Sequence, residues 1–151
     1  MSDNFFRYQQ RVLGILLAWG VGNALIAPLA LFRRDPFWRQ FGMQAFTWGA
    51  IDAALAVSGR RSAAHKAEQH ERDELSAADA RREAAQFRRI LLVNAGLDVL
   101  YVASGLWTAR RFRDRRDRQG IGMGIAVQGA FLLVYDVALA WDVGRRLNRD
   151  R

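Results

Sequence analysis

The chain has 151 residues, a formal net charge of +8 and charged side chains at 25% of its positions. This length is enough for one ordinary domain and leaves no room for a second sizeable core. The sequence contains no cysteine, which excludes disulfides, iron–sulfur clusters and thiolate metal sites. His65 and His70 both lie outside the apolar runs described next, so the usual axial ligand of an intramembrane haem is missing. We expect neither a metal nor another cofactor.

Four apolar runs hold almost no charged residues, and arginines crowd into the gaps between them. A helix needs about 20 mostly apolar residues to cross a hydrocarbon core of ~30 Å, and each run reaches this length. The sequence therefore predicts an all-α fold: a bundle of four transmembrane helices in one integral membrane domain over residues 1–151. The predicted spans are about 12–32, 40–59, 90–109 and 120–143.

A soluble four-helix bundle is the main alternative to this interpretation. Its helices need polar residues on their outward face at roughly every turn. In the first run, the only side chain with strong hydrogen-bonding capacity is Asn23, and residues 129–140 of the fourth run offer only Tyr135 and Asp136. Helices that are apolar all round are typical of a membrane, so we favour the membrane interpretation.

The first half of the chain predicts two spans with a short interfacial connection between them. Residues 1–10 form a polar lead to span one, and Pro28 lies in the last third of that span, where a proline kinks a helix. The connection at residues 32–41 places Phe and Trp beside arginines. These residue types are typical of the lipid headgroup level.

The segment between spans two and three, residues 60–89, is rich in Ala, Glu and Arg and contains no proline. Ser76 and Asp79 form the S-x-x-D pattern that starts a helix. We therefore expect a solvated helix from about Ala77 that continues without a break into span three. The segment's eight basic and six acidic residues solvate it, and binding of a partner is the alternative interpretation.

The connection between spans three and four is strongly basic, with six arginines between Arg110 and Arg118. Because predicted spans flank it, we expect contact with anionic lipid headgroups, at about 1 kcal/mol for each basic residue near a charged surface. Nucleic acid is not expected as a partner, because the sequence has no recognisable RNA- or DNA-binding module. The predicted headgroup contacts are Arg33, Arg34, Arg110, Arg111, Arg113, Arg115, Arg116 and Arg118.

Orientation follows from the distribution of Lys and Arg along the chain. With four spans, both termini and the middle segment lie on one side, which carries 14 Lys and Arg against 9 on the other side. Basic residues are enriched on the cytoplasmic side of membrane proteins. We therefore predict cytoplasmic termini.

The two halves of the chain resemble each other. The tripeptide ILL recurs after 75 residues, and the same offset places Asn23 on Asp98. In the second spans, a Gly-Met pair recurs after 80 residues, and DAALA at 52–56 recurs as DVALA at 136–140, after 84 residues. These matches predict an internal repeat of two tandem helical hairpins.

A layer of polar side chains lies within the apolar runs. In span three, Asn94, Asp98 and Tyr101 are spaced i, i+4, i+7, which places them on one helix face. The acids of three spans lie within about 6 Å of the predicted midplane at ~1.5 Å per residue. No Lys, Arg or His in the spans can pair with these acids, so we expect some to be protonated and hydrogen-bonded. This polar layer consists of Asn23, Asp52, Asn94, Asp98, Tyr101, Gln128, Tyr135 and Asp136.

The polar layer has three possible roles. Small residues such as Gly49 and Gly124 share its helix faces, which favours interhelical hydrogen bonding as its purpose. Intramembrane acids also mark proton or cation paths, which is the second interpretation. A binding site for a lipid or another small ligand is the third.

The segments NAGLDVLYVASG (94–105) and QGAFLLVYDVALA (128–140) carry a family resemblance. The chain resembles an uncharacterised bacterial family of small four-span membrane proteins that shows N-A-G-L-D-x-x-Y-x-x-x-G and Q-G-x-F-L-x-x-x-D. The resemblance covers roughly residues 11–143 and implies the bacterial inner (plasma) membrane, but no reaction. Asp52 departs from the family pattern, which has an asparagine after the tryptophan. The matching positions are Asn94, Gly96, Asp98, Tyr101, Gly105, Gln128, Gly129, Phe131 and Asp136.

These patterns predict a non-enzymatic interaction or scaffold protein, or an accessory subunit, that assembles with itself or with a larger membrane complex. The alternative is a small proton-coupled transporter or channel that uses Asp98 and Asp136. An enzyme is not expected, because Ser104 and Thr47 have no histidine within the spans to activate them.

Overall fold

The computed structural model describes residues 5–72 and 74–149, and these residues form helices and short connections without a β-strand. The fold is all-α, as the sequence predicts. Four of the helices are long, and the short second helix continues the first after a break. The helices are α1 (Phe5–Ile26), α2 (Pro28–Leu31), α3 (Pro36–Glu71), α4 (Ala77–Arg111) and α5 (Arg116–Arg149).

Pro28 interrupts the helix of predicted span one. Proline has no backbone N–H and cannot continue the hydrogen-bond ladder of a helix. Helix α1 therefore ends at Ile26, and the chain resumes as the single turn of α2 with Pro28 in its first turn. The Ala30 N–H donates to Ala27 O at 2.9 Å across the break.

Helix α3 is longer than the sequence predicts. It begins at Asp35, whose side chain accepts a hydrogen bond from the Phe37 N–H and so caps the helix. It continues to Glu71, beyond the predicted end of span two near residue 59, so the first part of the segment 60–89 is helical. The residues beyond 59 are mainly Ala, Arg, Lys, Glu and Gln, which favour helix in water as well as in lipid.

Helix α4 begins where the sequence predicts. Ser76 accepts a hydrogen bond from the Asp79 N–H, and the Asp79 side chain accepts one from the Ser76 N–H, which forms a capping box. The helix then runs unbroken to Arg111, so the solvated segment and predicted span three form one element.

The long helices pair as two hairpins. Helix α1 packs against α3, α4 packs against α5, and contact between α3 and α5 joins the two pairs. A Cβ atom added to Gly20 would lie 2.6 Å from backbone atoms of Gly49 and Ala53, and one added to Gly105 would lie 2.6 Å from backbone atoms of α5. Glycine is therefore what allows the backbones to approach so closely in both hairpins.

The hydrophobic core lies at one end of the molecule, which we call the termini end. This end consists of the first turns of α1, the facing ends of α3 and α4, and the last turns of α5. Phe5 and Phe6 are 3% and 0% exposed. The Phe5 ring meets Phe87 edge-on at 6.1 Å, and the Phe6 ring meets His70 at the same separation. The predicted polar lead is therefore wrong for residues 5–10, and residues 1–4 lie outside the described residues.

Three helical segments in the described part of the chain are long and apolar enough to cross a membrane: residues 5–31, α4 and α5. This is typical of a membrane protein. Helix α3 does not reach the same hydropathy, although the sequence predicts a span there. Polar residues such as Gln40, Gln44 and Asp52 lower its mean hydropathy.

Candidate functional site

Most of the polar layer is buried where α3, α4 and α5 meet. Asp52, Asp98 and Asp136 are 3%, 3% and 5% exposed, although a carboxyl group is rarely buried without a partner. Gln128 and Tyr135, both on α5, are buried beside them. The structure thus brings one acid from each of three helices into one region.

Gln128 connects the two hairpins. Its side-chain amide donates a hydrogen bond to the Asp52 carboxyl group across the α3–α5 interface. Its carbonyl oxygen accepts a hydrogen bond from the indole N–H of Trp19 on α1, at 3.0 Å. The Trp19 ring in turn stacks on Phe131 at 3.8 Å. One α5 side chain therefore holds both helices of the first hairpin.

Polar side chains also meet between α4 and α5. The Asp98 carboxyl group lies beside the Asp136 carboxyl group, and the Asn94 side chain lies close to Asp136. A carboxylate only accepts hydrogen bonds, so two carboxyl groups bond to each other only when one of them carries a proton. A hydrogen bond between Asp98 and Asp136 therefore requires a proton on one of them.

The Asp98 carboxyl group retains unused bonding capacity. Its Oδ2 atom is buried and has no hydrogen-bond partner among the residues that the structure describes. The three acids do not form a metal site, since no group of three His, Cys, Asp or Glu between residues 5 and 149, residue 73 apart, could hold a metal ion.

Three members of the polar layer contact groups other than the acids: Tyr135, Asn23 and Tyr101. Tyr135 donates its hydroxyl to Val12 O at 3.0 Å, which ties α5 to α1. Asn23 is half-buried and donates to Trp19 O on its own helix at 2.9 Å. Asn94 and Tyr101 are exposed. Around the axis of α4, both lie to the same side of Asp98, which places them at the edge of the face that meets α5. The Tyr101 ring contacts Trp48 at 5.5 Å.

Trp19 is the part of this network that sequence reasoning missed. An indole N–H buried in an apolar environment needs an acceptor, and no other side chain of the first run except Asn23 signals polarity. The sequence therefore did contain a signal for this hydrogen bond: a tryptophan within an apolar run, far from the predicted headgroup level.

An open groove lies between α1, α2 and α3, with a volume of about 700 Å³. Its walls are apolar and come mainly from small and aromatic residues, among them Ala30, Phe41 and Gly42. Asn23 on α1 and Arg33, which follows α2, are polar residues in its lining. Arg33 lies at one end of the groove.

The connections at residues 32–35 and 112–115, with the adjoining helix turns, form the end of the molecule opposite the termini end. We call this end the loop end. The predicted headgroup arginines lie there. Arg116 donates to Asp35 at 2.5 Å and lies over the Phe37 ring at 4.9 Å. This hydrogen bond, with a second from the Phe37 N–H, holds the pKa of Asp35 below its usual value of 3.8. Arg118 lies over the Phe112 ring at 4.5 Å. The two connections are thus tied together.

Residues 15–137 match a family model described as a family of unknown function, DUF6992. The chain belongs to this family. The match covers most of the sequence and includes every member of the polar layer. Comparison with curated proteins gives no match, and comparison with solved structures gives none either.

Proposed function

We propose that this member of DUF6992 is a non-enzymatic interaction or scaffold protein, or an accessory subunit, that assembles in a membrane with itself or with a larger complex. The observation that carries this proposal is that three acids of its polar layer are buried between helices. Asp52 accepts a hydrogen bond from Gln128, and Asp136 lies beside Asp98. Such groups fix how the helices pack and leave the outer surfaces free for association.

The state of the hydroxyl candidates supports a non-enzymatic role. Ser104 donates to Tyr101 O at 3.1 Å, a bond to its own helix that needs no catalytic partner. A nucleophilic serine needs a base within hydrogen-bonding reach. His65 and His70 lie on the part of α3 near the termini end, far along the bundle from Ser104.

We propose further that α3 crosses the membrane with the other three long helices, so that the chain has four spans. Helix α3 packs antiparallel along α2 and α1, from Gly42 beside Ala30 on α2 to Glu71 paired with Arg7 on α1. If α1 crosses the bilayer, a partner that returns along its whole length crosses as well. The Asp52 carboxyl group, which lowers the hydropathy of α3, is buried between helices and does not face lipid.

A duplicated hairpin is consistent with this arrangement. At offsets of 75 and 84, Asn23 corresponds to Asp98 and Asp52 to Asp136. Asp98 lies beside Asp136 in the second hairpin. In the first, Asn23 packs against Gly49, one helical turn before Asp52. The corresponding residues thus lie in similar places in the two hairpins.

We place the protein in the inner (plasma) membrane of a bacterium, with the termini end in the cytoplasm and the loop end at the other face. The excess of Lys and Arg on the termini side supports this orientation. At both faces, we propose that the arginines contact anionic lipid headgroups. Those at the loop end lie beside exposed aromatic side chains, such as Phe32 and Trp38, that suit the headgroup level.

The assembly proposal is tested by native mass spectrometry of the protein extracted from its own membrane in a mild detergent. The expected result is an integer multiple of the chain's mass, or the chain with another subunit at fixed stoichiometry. An unrelated monomeric membrane protein extracted in parallel controls for forced association. A chain that runs only as a lone monomer would overturn the proposal.

Proton-coupled transport is the second candidate, and one specific observation favours it. The Asp98 and Asp136 carboxyl groups lie side by side, and Asp98 Oδ2 is buried without a partner among the described residues. Two adjacent buried acids with a vacant acceptor atom suit proton binding and release. Asn94, which lies close to Asp136, also lines a surface pocket with Gln86 and Arg89.

Flux measurements in reconstituted vesicles test this second candidate. A pH gradient should drive flux of a cation or an amine in the unmodified protein, and Asp98→Asn should abolish it. Asp142→Asn is the matched control, because Asp142 is ion-paired with Arg146 near the helix end and should leave flux unchanged. Absence of flux, or flux that survives Asp98→Asn, removes this candidate and leaves the scaffold proposal untouched.

A further inference from the structure

The groove between α1, α2 and α3 has the dimensions of a binding site for one lipid chain. Its volume of about 700 Å³ lies within the ~300–1,000 Å³ range of small-molecule sites. Its apolar lining on α1 and α2 extends from Ala18 to Ala30, a length of about 18 Å at ~1.5 Å per residue. This length is somewhat more than half of a hydrocarbon core of ~30 Å. The groove is therefore about as long as one leaflet is thick.

The groove has a defined direction, because its charge is at one end. Arg33 lines the end at the loop end of the molecule, where we place the lipid headgroups. The walls beyond it are apolar, with Ile26, Leu29 and Trp38 at the open rim, each about half exposed or more. Ala18 and Trp19 lie at the other end, about one helical turn beyond Asn23. An occupant with one anionic end and one long apolar end fits this distribution.

We propose that this groove binds one anionic phospholipid of the loop-end leaflet, with an acyl chain along the groove and the phosphate at Arg33. The proposal rests on the membrane placement given above and adds a specific ligand site to it. An apolar chain in the groove covers the side chains of its rim, and the guanidinium of Arg33 donates hydrogen bonds to phosphate oxygens.

A second copy of the chain suits the groove less well. Copies in one membrane share an orientation, so a symmetric pair has its axis along the membrane normal and brings equal heights together. Arg33, Arg34 and Arg39 of one copy would then approach the same arginines of the other. Like charges at an interface repel, whereas an anionic headgroup neutralises them.

Gly22 provides a substitution that fills the groove without disturbing the fold. Gly22 lines the groove, and a Cβ atom added there meets no other atom within 4 Å. Gly96 is the matched control, since it also lies inside a long helix with open space at its Cβ but is outside the groove. Gly22→Phe and Gly96→Phe therefore change helix propensity alike and differ in whether they occupy the groove.

The experiment mixes the detergent-purified protein with phosphatidylglycerol or phosphatidylcholine and counts the lipids retained per chain by native mass spectrometry. One phosphatidylglycerol should be retained per chain, with affinity at least tenfold above that for phosphatidylcholine. Gly22→Phe should lower this affinity at least tenfold, and Gly96→Phe should leave it unchanged. Arg33→Gln should lower it about fivefold, equivalent to about 1 kcal/mol, whereas Arg34→Gln, beside the groove, should change it less than twofold.

The outcomes separate this proposal from the membrane placement on which it rests. A chain that is freely soluble without detergent overturns the placement itself. A membrane-bound chain that retains phosphatidylglycerol equally in Gly22→Phe and Gly96→Phe overturns only the groove site. Equal retention of the two lipids, or a dimer that Gly22→Phe dissociates, likewise overturns it.

Discussion

The two ends of this molecule are packed by different means. At the termini end, large side chains fill the space between four helices, and Phe6 and Val143 are completely buried. At the loop end, glycines bring backbones into contact, as at Gly42 and Gly120, while Phe32 is 85% exposed. The same chain therefore uses an aromatic core at one end and close backbone contact at the other.

The difference follows from the surroundings that we propose for each group of contacts: the helix turns around Phe6 extend beyond the predicted spans into water, whereas glycines such as Gly42 lie within the predicted spans. In water, burial of apolar area stabilises a core by roughly 25 cal/mol per Å². Lipid tails are as apolar as a leucine side chain, so burial of a large side chain among helices adds little there. Helices within lipid associate instead through small residues and hydrogen bonds. The Asp52–Gln128 bond is of this kind and lies between the aromatic core and the loop end.

Phe6→Ala tests the termini end and should have the largest effect. Removing a fully buried phenylalanine costs about 3–5 kcal/mol. Phe32→Ala is the matched substitution at the loop end and should change the free energy of unfolding by less than about 0.5 kcal/mol, as for an exposed residue. Unfolding by SDS in mixed micelles measures both. Equal losses for the two variants would contradict the contrast between the ends.

Gly105→Val tests close backbone packing in the second hairpin. A Cβ atom at Gly105 would lie 2.6 Å from Ala126 N, and a backbone atom cannot rotate away as a side chain can. We expect a loss of about 3 kcal/mol, at the upper end of the range for overpacking. Gly96→Val is the control, because its Cβ has open space. Similar unfolding curves for the two variants would show that the helices are further apart than described here.

Gln128→Leu tests the bond between the two hairpins. It leaves the buried Asp52 carboxyl group without the amide, which costs about 1–3 kcal/mol. Asp52→Leu combined with Gln128→Leu should cost less than the sum of the single losses, because neither the Asp52 carboxyl group nor the Gln128 amide group is then left without the other. The Trp19 N–H loses its acceptor in Gln128→Leu and in the double variant alike, so this loss cancels in the comparison. Gln86→Leu on the exposed surface of α4 is the control. Additive losses in this double-mutant cycle would argue against the Asp52–Gln128 bond.

Asp35→Asn tests the tie between the loop-end connections and should have the smallest effect. The folded-state pKa of Asp35 is lowered, so its contribution is fully present above the ordinary pKa of 3.8 and disappears as pH falls through the folded value. The variant should therefore be slightly less stable than the unmodified protein at pH 7, and the difference should vanish at strongly acidic pH. A difference that grows on acidification would have the wrong sign.

Much of the fold could be predicted because it depends on local sequence. The apolar runs require helices, Pro28 requires a break, and Ser76 with Asp79 requires a helix start. These features act within a few residues and need no knowledge of neighbouring elements. The end of α3 could not be placed in this way, because the Ala, Glu and Arg residues beyond the predicted boundary also favour helix.

The candidate site was predictable as a set of residues but not as a set of partners. The sequence alone determined that Asp52, Asp98 and Asp136 lie inside apolar helices, because a run of apolar residues defines its polar members. Only the tertiary structure decided that Gln128 joins Asp52 to Trp19 and that Asn94 and Tyr101 lie at the edge of a helix face. Helical periodicity defines a face, but the rotation of each helix and the packing of its neighbours determine which residues of that face meet another helix.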